Sequence, residues 1–209
     1  MSTLFVVATI LLVGVLVTLE RTNTSWRLPV KATASTGFLA VAIASGAFDS
    51  SYGWVLFIGL VLAWVGDVLL ALPSRSAFLA GLVAFLLGHV AYVVAFGVRG
   101  VEWLPGILTA GGVAVIAVLV WRWLRPNLDD PMVGPVAAYV VVISVMVIGA
   151  SATAGFDPGV GIVAGAVLFF LSDLFVARQR FVTPGFINRL VGLPLYYGGQ
   201  ILLALSVAG

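Results

Sequence analysis

Eight apolar stretches, each about 17 to 21 residues long, run through this chain with only short polar breaks between them. They lie at Thr3 to Leu19, Lys31 to Ala47, Gly53 to Leu72, Ala77 to Gly97, Trp103 to Trp123, Gly134 to Ala154, Gly159 to Ala177 and Leu190 to Ala208. Wound as a helix, each is long enough to cross the hydrocarbon of a bilayer. Lipid offers no partner to backbone N–H and C=O groups, so a spanning segment is either a helix or a strand of a closed barrel. The stretches lack the two-residue alternation of barrel strands, which leaves helices. The expectation is an all-α, polytopic membrane protein with eight transmembrane helices, residues 1–209 forming a single transmembrane domain.

Composition agrees with that solvent. A soluble domain carries roughly a quarter of its residues as charges, whereas here 9% are charged and 62% hydrophobic, with a mean hydropathy of +1.22. Soluble globular, disordered and collagen-like classes are excluded. The pI of 9.3 arises from a net charge of only +2, so it implies no nucleic-acid partner. The absence of cysteine excludes disulfides, thiolate metal sites and a cysteine nucleophile. The first stretch has no basic leader or small-residue cleavage site and reads as a retained helix. The breaks are short and rich in Pro, Gly, Asp and Arg, and Arg125 to Pro131, with Asp129 and Asp130, reads as a solvated loop.

The few cations are unevenly placed. Loops after stretches one, three, five and seven hold Arg21, Arg27, Lys31, Arg75, Arg122, Arg125, Arg178, Arg180 and Arg189, while the other loops hold Arg99 alone. By the positive-inside rule the odd-numbered loops are cytoplasmic and both termini lie on the opposite side, in the inner membrane if the host is a bacterium.

Gly59 to Ala71 aligns without gaps on Gly165 to Ala177 at an offset of 173 − 67 = 106, and Pro29-Val30-Lys31-Ala32 meets Pro135-Val136-Ala137-Ala138 in the same register. This suggests a four-plus-four duplication, with parallel repeats at 1–105 and 106–209. Counted at about 1.5 Å per residue from Leu72 and Ala177, Asp67 and Asp173 lie at one depth, roughly 6 to 8 Å inside the cytoplasmic boundary, and the duplication would bring them close together. A carboxylate within a span is costly unless it faces a polar cavity or a partner, which makes each a candidate site residue. Two carboxylates brought together in a poorly solvated pocket share a proton, and the protonated one is then a general acid. The structural alternative is that each pairs with a loop arginine such as Arg75 or Arg178.

Other polar side chains at membrane depth complete the candidate site. His89, the sole histidine, lies mid-span with Tyr92 at i+3 on the same face, and Tyr196 and Gln200 stand at i and i+4 in the last stretch beside Tyr197. Tyr139 lies near the start of stretch six, where an interfacial anchor is the plainer reading. Lys31 opens stretch two, placed to bind a phosphate, to pair with an aspartate or to snorkel among headgroups. No nucleotide loop, His-Glu-x-x-His or Gly-x-Ser-x-Gly occurs, so neither metal nor cofactor is expected.

In order, Lys31, Gly66-Asp67, Phe78 through Gly88-His89 to Tyr92, Ser172-Asp173 and Tyr196-Tyr197 to Gln200 resemble the YhhN family of membrane proteins, from about Lys31 to Ser206. The family usually follows its lysine with proline, whereas here Ala32 follows Lys31 and the proline is Pro29. The resemblance implies an eight-helix hydrolase without a cofactor. Its reaction is cleavage of the vinyl ether of lysoplasmalogens to a fatty aldehyde and glycerophosphoethanolamine or glycerophosphocholine. Asp67 and Asp173 are then the acid-base pair, and Lys31, His89, Tyr92, Tyr139, Tyr196, Tyr197 and Gln200 line the substrate pocket. The implied partners are a lysophospholipid and membrane lipid, with no protein partner evident. Two other classes fit buried acids in a helical bundle: a small proton-coupled transporter and a non-catalytic lipid-binding protein.

Overall fold

The structure, a computed structural model, describes residues 1–22, 24–155 and 159–208. The described residues form eight α-helices, α1 (Ser2–Thr22), α2 (Arg27–Ala44), α3 (Ser51–Leu70), α4 (Arg75–Arg99), α5 (Trp103–Leu124), α6 (Asp130–Ser151), α7 (Gly159–Ala177) and α8 (Phe186–Leu205). Each matches one apolar stretch to within a few residues. Serines set two of the starts: the Ser50 hydroxyl accepts from the Gly53 N–H at 3.0 Å, and Ser74 does the same for Ala77 at 3.0 Å. The expected loop at Asp129 to Pro131 is shorter than the sequence suggested. Asp130 and Pro131 form the first turn of α6, where proline's missing N–H costs nothing and an acid suits the positive end of the helix.

Seven of the helices are long and apolar enough to cross a membrane, which makes this an integral, multi-pass membrane protein. The exception is α2. Its apolarity is diluted by Lys31, Thr33, Ser35 and Thr36, and Lys31 and Ser35 are buried inside the bundle rather than turned to lipid.

Consecutive helices pack as pairs, most extensively α3 on α4 and α7 on α8. Glycine makes the second pair possible: a Cβ at Gly199 would stand 2.8 Å from the Gly165 carbonyl oxygen. α8 is the most buried of the spans and also meets α1, α2 and α3. α5 is the most exposed, with Ile107, Leu108, Val115, Val118 and Leu119 turned outward to lipid. Beside a smaller cluster of Leu124, Leu128, Met132 and Val136, a large core centred on Phe38, Leu60, Tyr92, Phe96, Phe169 and Tyr197 fills most of the bundle. It is tight at one end of the bundle. At the other, where α3, α5 and α7 finish, it opens into a cavity.

Candidate active site

Asp67 sits one turn from the end of α3, and everything around it donates. Its Oδ1 lies 3.0 Å from the Lys31 ammonium, and its Oδ2 accepts from the Ser35 hydroxyl and the Tyr196 hydroxyl, each at 2.6 Å. Lys31 and Ser35 reach it together because they are i and i+4 on one face of α2. Tyr197 supports them from α8, its hydroxyl 2.9 Å from Ser35 Oγ and donating to the Lys31 carbonyl at 3.3 Å. Only 3% of the Asp67 side chain is exposed. Of the roughly four lone-pair positions on a carboxylate, three are filled.

Asp173, one turn from the end of α7, is held far more loosely. The Tyr139 hydroxyl donates to its Oδ2 at 2.8 Å, and 16% of the side chain is exposed to the cavity. Behind it stands His89. The His89 Nδ1 lies 2.6 Å from the Phe85 carbonyl, an acceptor, so this nitrogen carries the proton and donates. That leaves Nε2 facing Asp173 Oδ2 at 3.6 Å, just beyond hydrogen-bond distance, buried and without another partner. The ring is held edge-on by Tyr139 at 5.2 Å and tilted against Phe169 at 4.5 Å.

Both aspartates border one cavity of about 550 Å³. Its walls are apolar, with Leu70, Phe85, Val136, Val140 and Ile143 among them, and its mouth carries Arg75, Gln179, Arg180 and Arg189. A cavity of that volume with apolar walls and a polar rim can accommodate an amphiphile, its polar end at the helix ends. The mouth is shaped by one wide turn that prolongs α7 through Arg178–Val182, closed by the Thr183 N–H on the Arg178 carbonyl at 2.8 Å. Asn188 of α8 pins it, donating to Gln179 and to the Thr183 carbonyl at 2.8 Å each, and accepting from Arg178 at 2.6 Å.

The structure sorts the residues singled out in the sequence. Lys31, Asp67, Tyr139, Asp173 and Tyr196 border the cavity. His89 lies one layer behind Asp173. Tyr92, Tyr197 and Gln200 do not border it: the Tyr92 hydroxyl donates to Gln200 Oε1 at 2.7 Å deeper in the bundle, leaving the buried Gln200 Nε2 without a partner. Arg75 and Arg178 are not the aspartates' partners; Lys31 holds Asp67, and Arg178 is bonded to Asn188. Ser35 was missed, although its i+4 spacing from Lys31 was a usable signal. Asn188 was missed too, since nothing in sequence marks a turn of this kind. Among the described residues no three His, Asp or Glu side chains group as metal ligands.

A bundle of long apolar helices with an acid-lined cavity at one end defines a polytopic membrane protein with a candidate site among its helices. The family model described as "YhhN family" matches residues 26–207, and the chain belongs to that family. Among curated relatives, lysoplasmalogenase TMEM86A of Bos taurus is 31% identical over 159 residues, covering 72% of this chain and 64% of the relative. Lysoplasmalogenase TMEM86B of Rattus norvegicus is 36% identical over 170 residues, 79% of this chain and 65% of the relative. A lysoplasmalogenase of Mycobacterium bovis is 32% identical over 182 residues, 82% and 67% respectively. The matched region thus spans 64% and 65% of the length of the first two. No solved structure matches the chain.

Proposed function

We propose that the chain is an intramembrane hydrolase that cleaves the vinyl ether bond of lysoplasmalogens, with Asp173 as the acid and Asp67 as a fixed anion. The observation that carries this reading is the unequal setting of two carboxylates on one cavity. Relatives named lysoplasmalogenase at 31% to 36% identity support the substrate class.

Vinyl ethers resist base and are opened by proton transfer to the β-carbon. Asp173, which faces His89 Nε2 at 3.6 Å, carries the proton that is delivered. The β-carbon gains it, the π-electron pair forms the new C–H bond, and the ether oxygen donates electron density to give an oxocarbenium ion. Asp173, now ionised, stands beside that cation and stabilises it. Water adds to the carbon bearing the oxygen and returns a proton to the carboxylates, and the resulting hemiacetal collapses to aldehyde and glycerophospho-alcohol. Asp67 keeps its remaining lone pair for that water, its position fixed by Lys31, Ser35 and Tyr196. Paired carboxylates divide acid and water-positioning roles in the same way at glycosidic bonds.

In this reading α2 crosses as the eighth span and the two halves are a four-plus-four repeat, supported by aspartates at corresponding points of α3 and α7. The cavity mouth then faces the cytoplasm, as the arginine bias indicates, and the lysolipid enters from that leaflet. The test is fatty aldehyde release from lysoplasmalogen by the purified protein and by Asp67→Asn and Asp173→Asn. Release by the parent and its loss in both variants is expected. No release by the parent, or full release by both variants, defeats the reading. Solute counterflow in proteoliposomes with the lipid unchanged would replace it with a transporter.

A further inference from the structure

The mouth of the cavity carries charges that the chemistry above leaves unused. Arg75 opens α4 and Arg180 stands in the wide turn after α7, and both border the main cavity and a smaller hollow of about 230 Å³ beside it. Among the described residues neither has a carboxylate within the 4.0 Å of an ion pair. Of the other cations bordering the cavity, Lys31 is committed to Asp67 and Arg189 is paired with Glu20. Arg180 is aimed rather than loose: Asn188, only 2% exposed, ties its turn to α8, and its guanidinium lies 4.2 Å over the ring of Phe78. The hollow also carries the opposite sign, in Asp129, and the aromatic ring of Phe181 is part of its lining.

We propose that this mouth is a headgroup subsite for a zwitterionic lysolipid, Arg75 and Arg180 holding the phosphodiester and Asp129 with Phe181 receiving the terminal ammonium. The inference rests on the lysolipid substrate proposed above. Two guanidiniums match a phosphodiester's paired oxygens, and a carboxylate beside an aromatic face suits an ammonium. The depth matches as well. Arg180 follows Asp173 by 180 − 173 = 7 residues, at most about 10 Å of rise, since 1.5 Å per residue holds in the α-helix and the wide turn rises less. From phosphorus to the vinyl β-carbon there are seven bonds, about 8 Å at roughly 1.2 Å per bond of extended chain. A phosphate at the arginines therefore leaves the reacting carbon at the aspartates, one glycerol deeper.

Saturated 1-O-alkyl lysolipids lack the reacting double bond and serve as uncleavable probes. Equilibrium binding of three of them is compared: phosphocholine, phosphoglycerol and the phosphate-free alkylglycerol. The intact chain should bind the phosphocholine form about tenfold tighter than the alkylglycerol. Arg75→Gln with Arg180→Gln should bring that ratio close to one, while the double Lys variant at the same positions keeps most of it. Asp129→Asn should cut the preference for phosphocholine over phosphoglycerol by about threefold. Water-soluble glycerophosphocholine should compete and inorganic phosphate should not, which assigns the subsite to a headgroup rather than to free phosphate. Equal binding of the phosphate-free lipid by the intact chain, or a ratio unmoved by the double Gln variant, overturns the proposal. If the ranking holds while no aldehyde is released from lysoplasmalogen, the subsite stands and the hydrolase reading falls.

Discussion

Asp67 and Asp173 occupy corresponding points of α3 and α7 and border the same cavity, yet their surroundings are opposites. Asp67 takes an ammonium and two hydroxyls and is almost closed to the cavity; Asp173 takes one hydroxyl, stays partly open and faces a buried imidazole nitrogen that has no other partner. In the first arrangement three donors point at the carboxylate and hold it in one position. The second leaves a place for a proton. One residue type at two like positions is thus given two roles by its neighbours, and those neighbours come from α2 and α8 on one side and from α4 and α6 on the other.

That contrast is open to attack by substitution. The largest effect on stability is expected from Asp67→Asn, which leaves the buried Lys31 charge unpaired and should cost about 3–5 kcal/mol in unfolding measurements in detergent. Asp173→Asn removes no ionic partner, so its unfolding midpoint should stay close to the parent's while aldehyde release falls by roughly 10²- to 10⁴-fold. Equal destabilisation by the two substitutions would erase the distinction. Next comes the pair itself: Lys31→Met and Asp67→Asn combined should cost less than the sum of the two alone, with a coupling of about 1–3 kcal/mol in a double-mutant cycle. A strictly additive double variant would mean that the 3.0 Å contact carries no energy. Smaller again is Tyr139→Phe, which removes the one hydrogen bond to Asp173 and should lower turnover while changing stability by only about 1 kcal/mol. The smallest change is expected at Gly111→Ala on lipid-facing α5, where an added methyl meets nothing within 4 Å; by contrast Gly199→Ala, against the α7 backbone, should cost about 1–3 kcal/mol.

Most of the fold was legible because lipid imposes one length on every span and one secondary structure on every segment. Position along the helix was legible for the same reason: counting residues put Asp67 and Asp173 near the ends of their spans, and each lies about one turn from the end of its helix. Rotation was not. Nothing in the spacing of α2 and α3 says that Lys31 turns toward Asp67 rather than toward headgroups, and that choice depends on which face of α2 the bundle covers. His89 and Tyr92 share a helix face, yet one reaches Asp173 and the other bonds to Gln200, because neighbouring helices meet them at different heights. α2 reads as a span by length, but its polar face, which holds Asp67, lowers its apolarity below that of the other seven. The resemblance read from about Lys31 to Ser206 is borne out by the family match over residues 26–207.

The division of labour between the two aspartates is tested most directly by turnover of lysoplasmalogen in D2O, with mass spectrometry of the aldehyde formed. Proton delivery from Asp173 to the vinyl β-carbon predicts one deuterium on the carbon next to the carbonyl at early times, with Asp173→Asn losing this product while remaining folded. Aldehyde released without that deuterium, or full deuterated release by a folded Asp173→Asn protein, would contradict the assignment.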